Sequence, residues 1–200
     1  MASSKPSAAD SLANPTTLDA YHRKSKDTTS GTAKPGEELL QVVIETPRGS
    51  RNKFSFDTEQ RIFHLKSQLP VGMVFPWDFG FVPQTIGGDG DPLDALILMD
   101  EPAFPGCALL VRLLGAMEVE QTERGKTKRN DRLIVVAEVS QFFGNLKDLD
   151  DLPRKVRTEI DEFFTTYHRL HGKQSRTLGW KRAAAAQHLI DEARRRHAAD

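Results

Sequence analysis

The chain has 200 residues, 28 Lys+Arg against 28 Asp+Glu and so no formal net charge, and it is 38% hydrophobic. That size and apolar content suit one domain with a real core, while neutrality argues against a dedicated nucleic-acid binder or a polybasic membrane anchor, both of which need a basic field. Cys107 is the single cysteine, which excludes an internal disulfide and a multi-cysteine zinc site; no apolar run nears the ~20 residues that span a bilayer, and the N-terminus lacks the apolar stretch of a secretory signal, a combination that fits a cytoplasmic protein.

Residues 1–36 read as a disordered tail. Met1, Leu12, Leu18 and Tyr21 are the only large apolar residues there, too few to offset the entropy of ordering it. Asp10, Asp19 and Asp27 count against a transit peptide. Residues 37–200 form the expected folded domain. Leu39 to Glu45 is β-branched and strand-like. Lys53–Phe56 and Arg61–Leu65 flank the polar Asp57–Gln60, which predicts a hairpin. Ala95–Met99, Ala108–Val119 and Leu133–Ala137 are further strand candidates, with Gly125 as the turn between the last two. Short strands in succession, separated by Gly and Pro, predict an α+β fold built on an antiparallel sheet or small barrel. Asp151 and Pro153 then open a helix whose apolar positions Val156, Ile160, Phe163, Phe164, Tyr167 and Leu170 recur at helical spacing, with Gly172 as its stop. Lys181–His197 is Ala-rich and also predicted helical; its Arg194–Arg196 run is a solvated end.

The informative segment is Asp89-Gly90-Asp91-Pro92-Leu93-Asp94. Three carboxylates this close repel one another, so a fold that gathers them calls for cations, and hard ions such as Mg²⁺ prefer carboxylate oxygen. The bland alternative is an exposed turn, because Asp, Gly and Pro are what turns are made of. A calcium-binding EF-hand loop fails: with Asp89 as position 1, Leu93 falls at position 5 and Asp94 replaces the needed Gly at position 6.

Upstream lies Val74-Phe75-Pro76-Trp77-Asp78-Phe79-Gly80-Phe81-Val82-Pro83. With this context the sequence resembles the soluble inorganic pyrophosphatases of the β-barrel family, whose signature Asp-x-Asp-Pro-x-Asp is matched by Asp89, Asp91, Pro92 and Asp94. Further landmarks follow in order: Val43-Ile44-Glu45-Thr46-Pro47, Lys53, Pro105-Gly106, Gly115, Asp151-Leu152-Pro153, Phe163-Phe164 with Tyr167, Gly172-Lys173 and Gly179-Trp180. The resemblance spans roughly residues 37–182. It implies a small closed five-stranded antiparallel barrel, OB-like, with flanking C-terminal helices. It also implies Mg²⁺ as cofactor, pyrophosphate as the small-molecule substrate, no nucleic-acid or membrane partner, and a homo-oligomer. By position, Asp89 and Asp94 would be metal ligands and Asp91 the base that deprotonates the attacking water. Lys53 would hold the phosphate, Tyr167 and Lys173 would lie near the leaving group, and Glu45 would be a supporting acid. Without the resemblance, Lys53 reads as a solvated strand lysine and Tyr167 as a core aromatic.

Several positions depart from the family pattern. Ser55 stands for a Glu, Ser67 for an Arg with Lys66 beside it as a substitute cation, Phe75 and Phe79 for tyrosines, and His168 for a Lys. His168 and His171 read as a surface pair. In the last strand an Asp two residues before a Lys has become Asn130-Asp131-Arg132. Alternation puts Asn130 and Arg132 on one face; if that register holds, the resemblance implies Asn130 as the metal ligand and Arg132 as a phosphate-binding cation, whereas a bulge would bring Asp131 inward instead. Glu118, Glu120 and Glu123 compete for one further metal position. Two alternatives to a working pyrophosphatase stay open: a degenerate phosphate-binding or interaction module, and a hydrolase of another phosphoanhydride.

Overall fold

A computed structural model describes residues 39–200; the expected tail, residues 1–36, lies outside the described residues. The apolar segments become strands β1 (Leu40–Thr46), β2 (Asn52–Asp57), β3 (Ile62–Gln68), β4 (Asp78–Val82), β5 (Leu93–Leu98), β6 (Ala108–Glu123), β7 (Lys126–Arg129), β8 (Arg132–Ala137) and β9 (Gln174–Arg182). Two helices accompany them, α1 (Arg154–Leu170) and α2 (Ala183–Ala199). Among the described residues, no helix is long and apolar enough to cross a membrane.

β2 and β3 form the predicted hairpin as a separate two-stranded sheet. In the main sheet β1 pairs with β4, β4 with β5, β5 with β8, β8 with β6, and β6 returns to β1. The expectation of an all-antiparallel sheet is corrected at one pair: β5 and β8 run parallel, from Asp94↔Arg132 to Leu98↔Val136. A parallel pair needs a long crossover, and residues 99–131, which contain β6 and β7, supply it. Gly125 therefore turns β6 into β7, not into β8. β4, β7 and β9 are strands that the apolar pattern does not announce. Lys181 and Arg182 end β9, so α2 begins two residues later than predicted.

Strand alternation sorts the core into two clusters. Leu93, Ala95 and Ile97 of β5 join Leu133 and Val135 of β8 on one side, where α2 seals them with Ala186, Ile190 and Ala193. Leu96 and Leu98, with Ile134 and Val136, join the other side, where α1 contributes Ile160 and Phe164 beside Phe75 and Phe79. Each such aliphatic or aromatic side chain gains about 1.5–3 kcal/mol from burial. β6 serves both β8 and β9, and Gly115 makes that possible: a Cβ there would sit 2.2 Å from the Lys181 carbonyl oxygen. α2 also reaches the loop after β4. The Ile86 N–H donates to the Ala193 carbonyl at 3.0 Å, and Arg196 Nε donates to the Ile86 carbonyl at 2.8 Å.

Candidate active site

The acidic segment is the loop between β4 and β5, and its shape is fixed from within. The Thr85 hydroxyl, fully buried, donates to the Val82 carbonyl at 2.6 Å and accepts from the Leu93 N–H at 2.9 Å, so it ties the end of β4 to the start of β5. The Gly87 N–H donates to the Asp91 carbonyl at 2.7 Å and the Asp91 N–H to Asp89 Oδ1 at 3.2 Å. Gly90 turns the chain at φ +99°, a conformation open to glycine. From β7, Lys128 Nζ donates to the Asp89 carbonyl at 2.8 Å and braces the loop from outside.

The loop forms one wall of a cavity of about 790 Å³. Asp89, Asp91, Asp94, Glu45, Lys53, Lys66, Asn130, Arg132, Tyr167 and Lys173 all line it. Two β-bulges aim residues into it. Ile44 and Thr46 of β1 face consecutive residues of β4, which leaves Glu45 as the extra residue; in β3 the extra residue is Lys66, between Ser67, the partner of Lys53, and Leu65, the partner of Phe54. Glu45 Oε1 accepts from the Phe56 N–H at 2.7 Å. Burial pushes its carboxyl up, and the Phe56 N–H with Lys53 and Lys66 only partly restrain that. Lys53 Nζ lies 5.2 Å from the Phe79 ring centre and 5.6 Å from that of Tyr167. Tyr167 is thus both cavity wall and part of the aromatic layer, stacked at 12° on Phe163.

Asp94 and Arg132 meet because they are register partners on the parallel pair. Arg132 Nε is 3.8 Å from Asp94 Oδ2, and its side chain is 2% exposed. The guanidinium lies 4.2 Å over the Phe164 ring and donates to the Asn130 carbonyl at 3.2 Å. Burial nevertheless pushes the Asp94 carboxyl up to about 7, with Arg132 and Lys53 opposing. Asp89 is also raised, again mainly by burial.

His168 corrects the expectation of a surface pair. It is 4% exposed, because the face of α1 that carries Ile160 and Phe164 continues through it. Its Nε2 lies 3.0 Å from Gln121 Nε2 and 3.4 Å from Arg132 Nη2. Burial, then Arg132 and Lys53, hold its pKa down to about 2, so it is a neutral imidazole between cations. His171 does stay at the surface.

Asp131 does not join the other predicted residues. It turns away from the cavity, accepting from the Val119 N–H at 2.9 Å and pairing with Arg129 at 2.8 Å. Asn130 takes the inward position, as alternation without a bulge requires. Of the three competing glutamates only Glu123 lines the cavity, where Lys173 holds it at 3.0 Å; Glu118 pairs with Arg129 and Lys181, and Glu120 with Arg176. Gln121, Arg124, Lys126, Lys128 and His168 are polar lining residues that sequence reasoning missed. Gln121 lies two positions before Glu123 on the same strand face, so alternation was the available signal.

Among the described residues no three His, Cys, Asp or Glu side chains are gathered closely enough to hold a metal by themselves. The donor set still fits a hard divalent cation. Burial disfavours the ionised forms of Asp89 and Asp94, and the protein's own cations offset that only in part, so both carboxylates would gain from a bound cation. Mg²⁺ commonly takes one or two carboxylates and fills the remaining positions with water and substrate phosphate oxygens.

Comparison with known proteins bears on this site. The family model described as inorganic pyrophosphatase matches residues 42–198. A Synechocystis protein named inorganic pyrophosphatase is 37% identical over 160 residues, covering 80% of this chain and 92% of the relative. One from Methanosarcina acetivorans is also 37% identical, over 80% of this chain and 93% of its own. The crystal structure of inorganic pyrophosphatase from Thermus thermophilus superposes with a TM-score of 0.75 at 33% identity, over 83% of this chain and 95% of that one.

Proposed function

The chain belongs to the inorganic pyrophosphatase family, and from that premise we propose that it hydrolyses pyrophosphate to two phosphates with a divalent cation, Mg²⁺ on the hardness of its oxygen donors. The observation that carries the reading is the single cavity in which Asp89, Asp91 and Asp94 face Lys53 and Arg132. Asp89, Asp94 and the neutral amide of Asn130 would hold the metal. When bound, the metal supplies charge neutralisation of the phosphates and acidifies the attacking water.

The chain's own groups do the rest. Asp91 is exposed and, unlike its neighbours, free of a cationic partner among the described residues, which suits a carboxylate that takes the proton of the attacking water. Lys53, Lys66, Arg132 and Lys173 bind phosphate oxygens and keep the anion in line with that water. The Tyr167 hydroxyl serves the leaving phosphate, and buried Phe75 and Phe79 exclude bulk water beneath it. Glu45 balances the charge of Lys53 and Lys66.

The ring of pairings from β1 through β4, β5, β8 and β6 back to β1 supports a closed five-stranded, OB-like barrel. Exposed Phe104, Val139 and Phe142 support self-association; a cytoplasmic location fits the sequence. A second reading, a module that binds phosphate without turnover, is favoured by Asn130 where the family resemblance expects a carboxylate. Phosphate release from the full chain with pyrophosphate decides between them. Turnover with Mg²⁺ that vanishes in chelator supports the enzyme; pyrophosphate binding without release in Mg²⁺ overturns it.

A further inference from the structure

The buried stripe of α1 ends on a polar residue. Ile160 and Phe164 are followed one turn on by His168, which is buried and also lines the cavity. Its neighbours fix its chemistry. Nε2 lies 3.0 Å from Gln121 Nε2 and 3.4 Å from Arg132 Nη2. A guanidinium can only donate, and so can the amide nitrogen of Gln121. Nε2 is therefore the acceptor, and the imidazole proton sits on Nδ1. That Nδ1 is buried and has no hydrogen-bond partner among the described residues. A leucine here would continue the stripe without leaving a buried donor unpaired, a burden that a fold bears where it serves a site.

Arg132 is what His168 serves. The guanidinium lies 4.2 Å over the Phe164 ring, which supports its face but leaves its in-plane direction free. Toward Asp94 it makes a charge contact, Nε to Oδ2 at 3.8 Å, too long for a hydrogen bond. Two contacts remain to set its direction: Nη1 donates to the Asn130 carbonyl at 3.2 Å, and Nη2 to His168 Nε2 at 3.4 Å. The first partner is backbone, so His168 is the side chain that aims the group. Both positions also depart together from the family pattern, which has lysine at each. A lysine at 168 would press an ammonium against a guanidinium that never loses its charge. The imidazole offers a lone pair instead, and burial, then Arg132, Lys53 and Lys173, keep it neutral. Arginine at 132 and histidine at 168 thus form one paired exchange.

We propose that His168 is a positioning residue: through its Nε2 lone pair it aims the Arg132 guanidinium at the phosphate held in the cavity, and so sets affinity for the phosphate-bearing substrate and product. This rests on the phosphate-binding role given to Arg132 above. His168 acts through Arg132 and not on the reacting atoms. An aimed cation holds phosphate oxygen in the ground state as well as in the transition state, so its loss falls on KM more than on kcat.

The test compares variants of the full chain in Mg²⁺, by pyrophosphate turnover and by calorimetric binding of inorganic phosphate. His168→Phe keeps a ring and loses the acceptor. KM for pyrophosphate and Kd for phosphate should each rise about tenfold, the scale of a charge-assisted hydrogen bond, with kcat nearly unchanged. His168→Gln keeps a neutral acceptor and should hold both constants near the wild-type values. His168→Lys should do as badly as His168→Phe or worse, and adding Arg132→Lys to it should recover much of that loss, a coupling that independent sites do not show. Imidazole ¹⁵N NMR of the wild type should find Nδ1 protonated and Nε2 bare. Equal behaviour of His168→Phe and His168→Gln, a fall in kcat with KM and Kd unchanged, or the opposite tautomer overturns the role. Should His168→Phe fail to fold, the contrast of His168→Gln with His168→Lys decides in its place, and equal constants for those two overturn the role. Wild-type protein that binds phosphate without turnover overturns the enzyme reading, while the Kd comparison still decides on His168. Wild-type protein that binds no phosphate overturns both.

Discussion

The two faces that the strands present to the two helices are built to different ends. Against α2 the contacts are Ala186, Ile190 and Ala193 on Leu, Val, Ile and Ala, with the Cys107 thiol packed at the edge of the cluster. Against α1 the same strands carry Asp94 and Arg132 in line with Leu96, Leu98, Ile134 and Val136, and α1 returns His168 in line with Ile160 and Phe164. Period-two alternation makes this possible, because one strand can devote odd positions to packing and even positions to a buried charge pair. A buried pair such as Asp94–Arg132 is a weak contributor to stability, since desolvation of both ions offsets their attraction. The aliphatic α2 face therefore carries the fold, and the α1 face uses that stability to hold charges where water would otherwise screen them.

The sharpest separation should come from Asp91→Asn. As an exposed loop residue it should leave Tm unchanged while kcat falls by about 10²- to 10⁴-fold, the scale of a lost general base; an unchanged kcat would remove Asp91 from the chemistry. Ile190→Ala is the mirror image. It should cost roughly 2–5 kcal/mol of stability in chemical denaturation, with kcat/KM preserved at temperatures where the variant is folded. A variant that is folded but slow would mean that the two faces are not separable. Next in size is the exchange at the start of β8. Asn130→Asp adds a charge at the inward position and should tighten the apparent Mg²⁺ constant severalfold, because charge count sets affinity for hard cations; Asp131→Asn should leave it alone and loosen only Arg129. Titration of activity against Mg²⁺ reads both, and the reverse pattern would mean that β8 is bulged in solution.

The smallest effect is a cancellation. His168 stays neutral in the fold down to about pH 2 but is protonated in the unfolded chain below its ordinary value near 6.5, so its contribution to stability is lost as pH falls below that value. Asp94 acts oppositely: raised to about 7, it stabilises the fold below its ordinary value and loses that contribution as pH rises to 7. Between pH 5 and 7 the wild-type midpoint in urea should therefore change little. His168→Gln should uncover a midpoint that rises as pH falls, and Mg²⁺ should flatten it by competing with the proton on Asp94.

The acidic loop was legible because its chemistry is local: carboxylates, glycines and a proline within six residues. β1, the β2–β3 hairpin and the apolar runs of β5, β6 and β8 were legible from β-branched and apolar content. β7, Lys126-Thr127-Lys128-Arg129, and the exposed start of β9 were not, because they pair through backbone on a polar surface and leave no apolar signature. The parallel pairing of β5 and β8 was hidden for a different reason. Each reads as an ordinary apolar strand, and only the path of β6 between them fixes their relative direction. His168 was misjudged because it is polar by composition while its neighbours one and two turns earlier, Phe164 and Ile160, already marked the buried stripe. The inward turns of Glu45 and Lys66 depend on bulges, which shift a strand by one residue and have no sequence signal of their own.

The junction of α2 with Ile86 ties the two ends of this division together. Ile86 lies in the loop that runs on to Asp89, and its N–H and carbonyl are both held by α2, through Ala193 and Arg196. Detachment of the last turns of that helix would free the approach to the acidic loop as well, so the two segments belong to one cooperative opening unit. In amide hydrogen exchange, Ile86 should accordingly share the protection of the helix rather than that of a surface loop. A fusion or truncation at the helix end would then be felt in the ordering of the carboxylates, on the far side of the sheet from where the change was made.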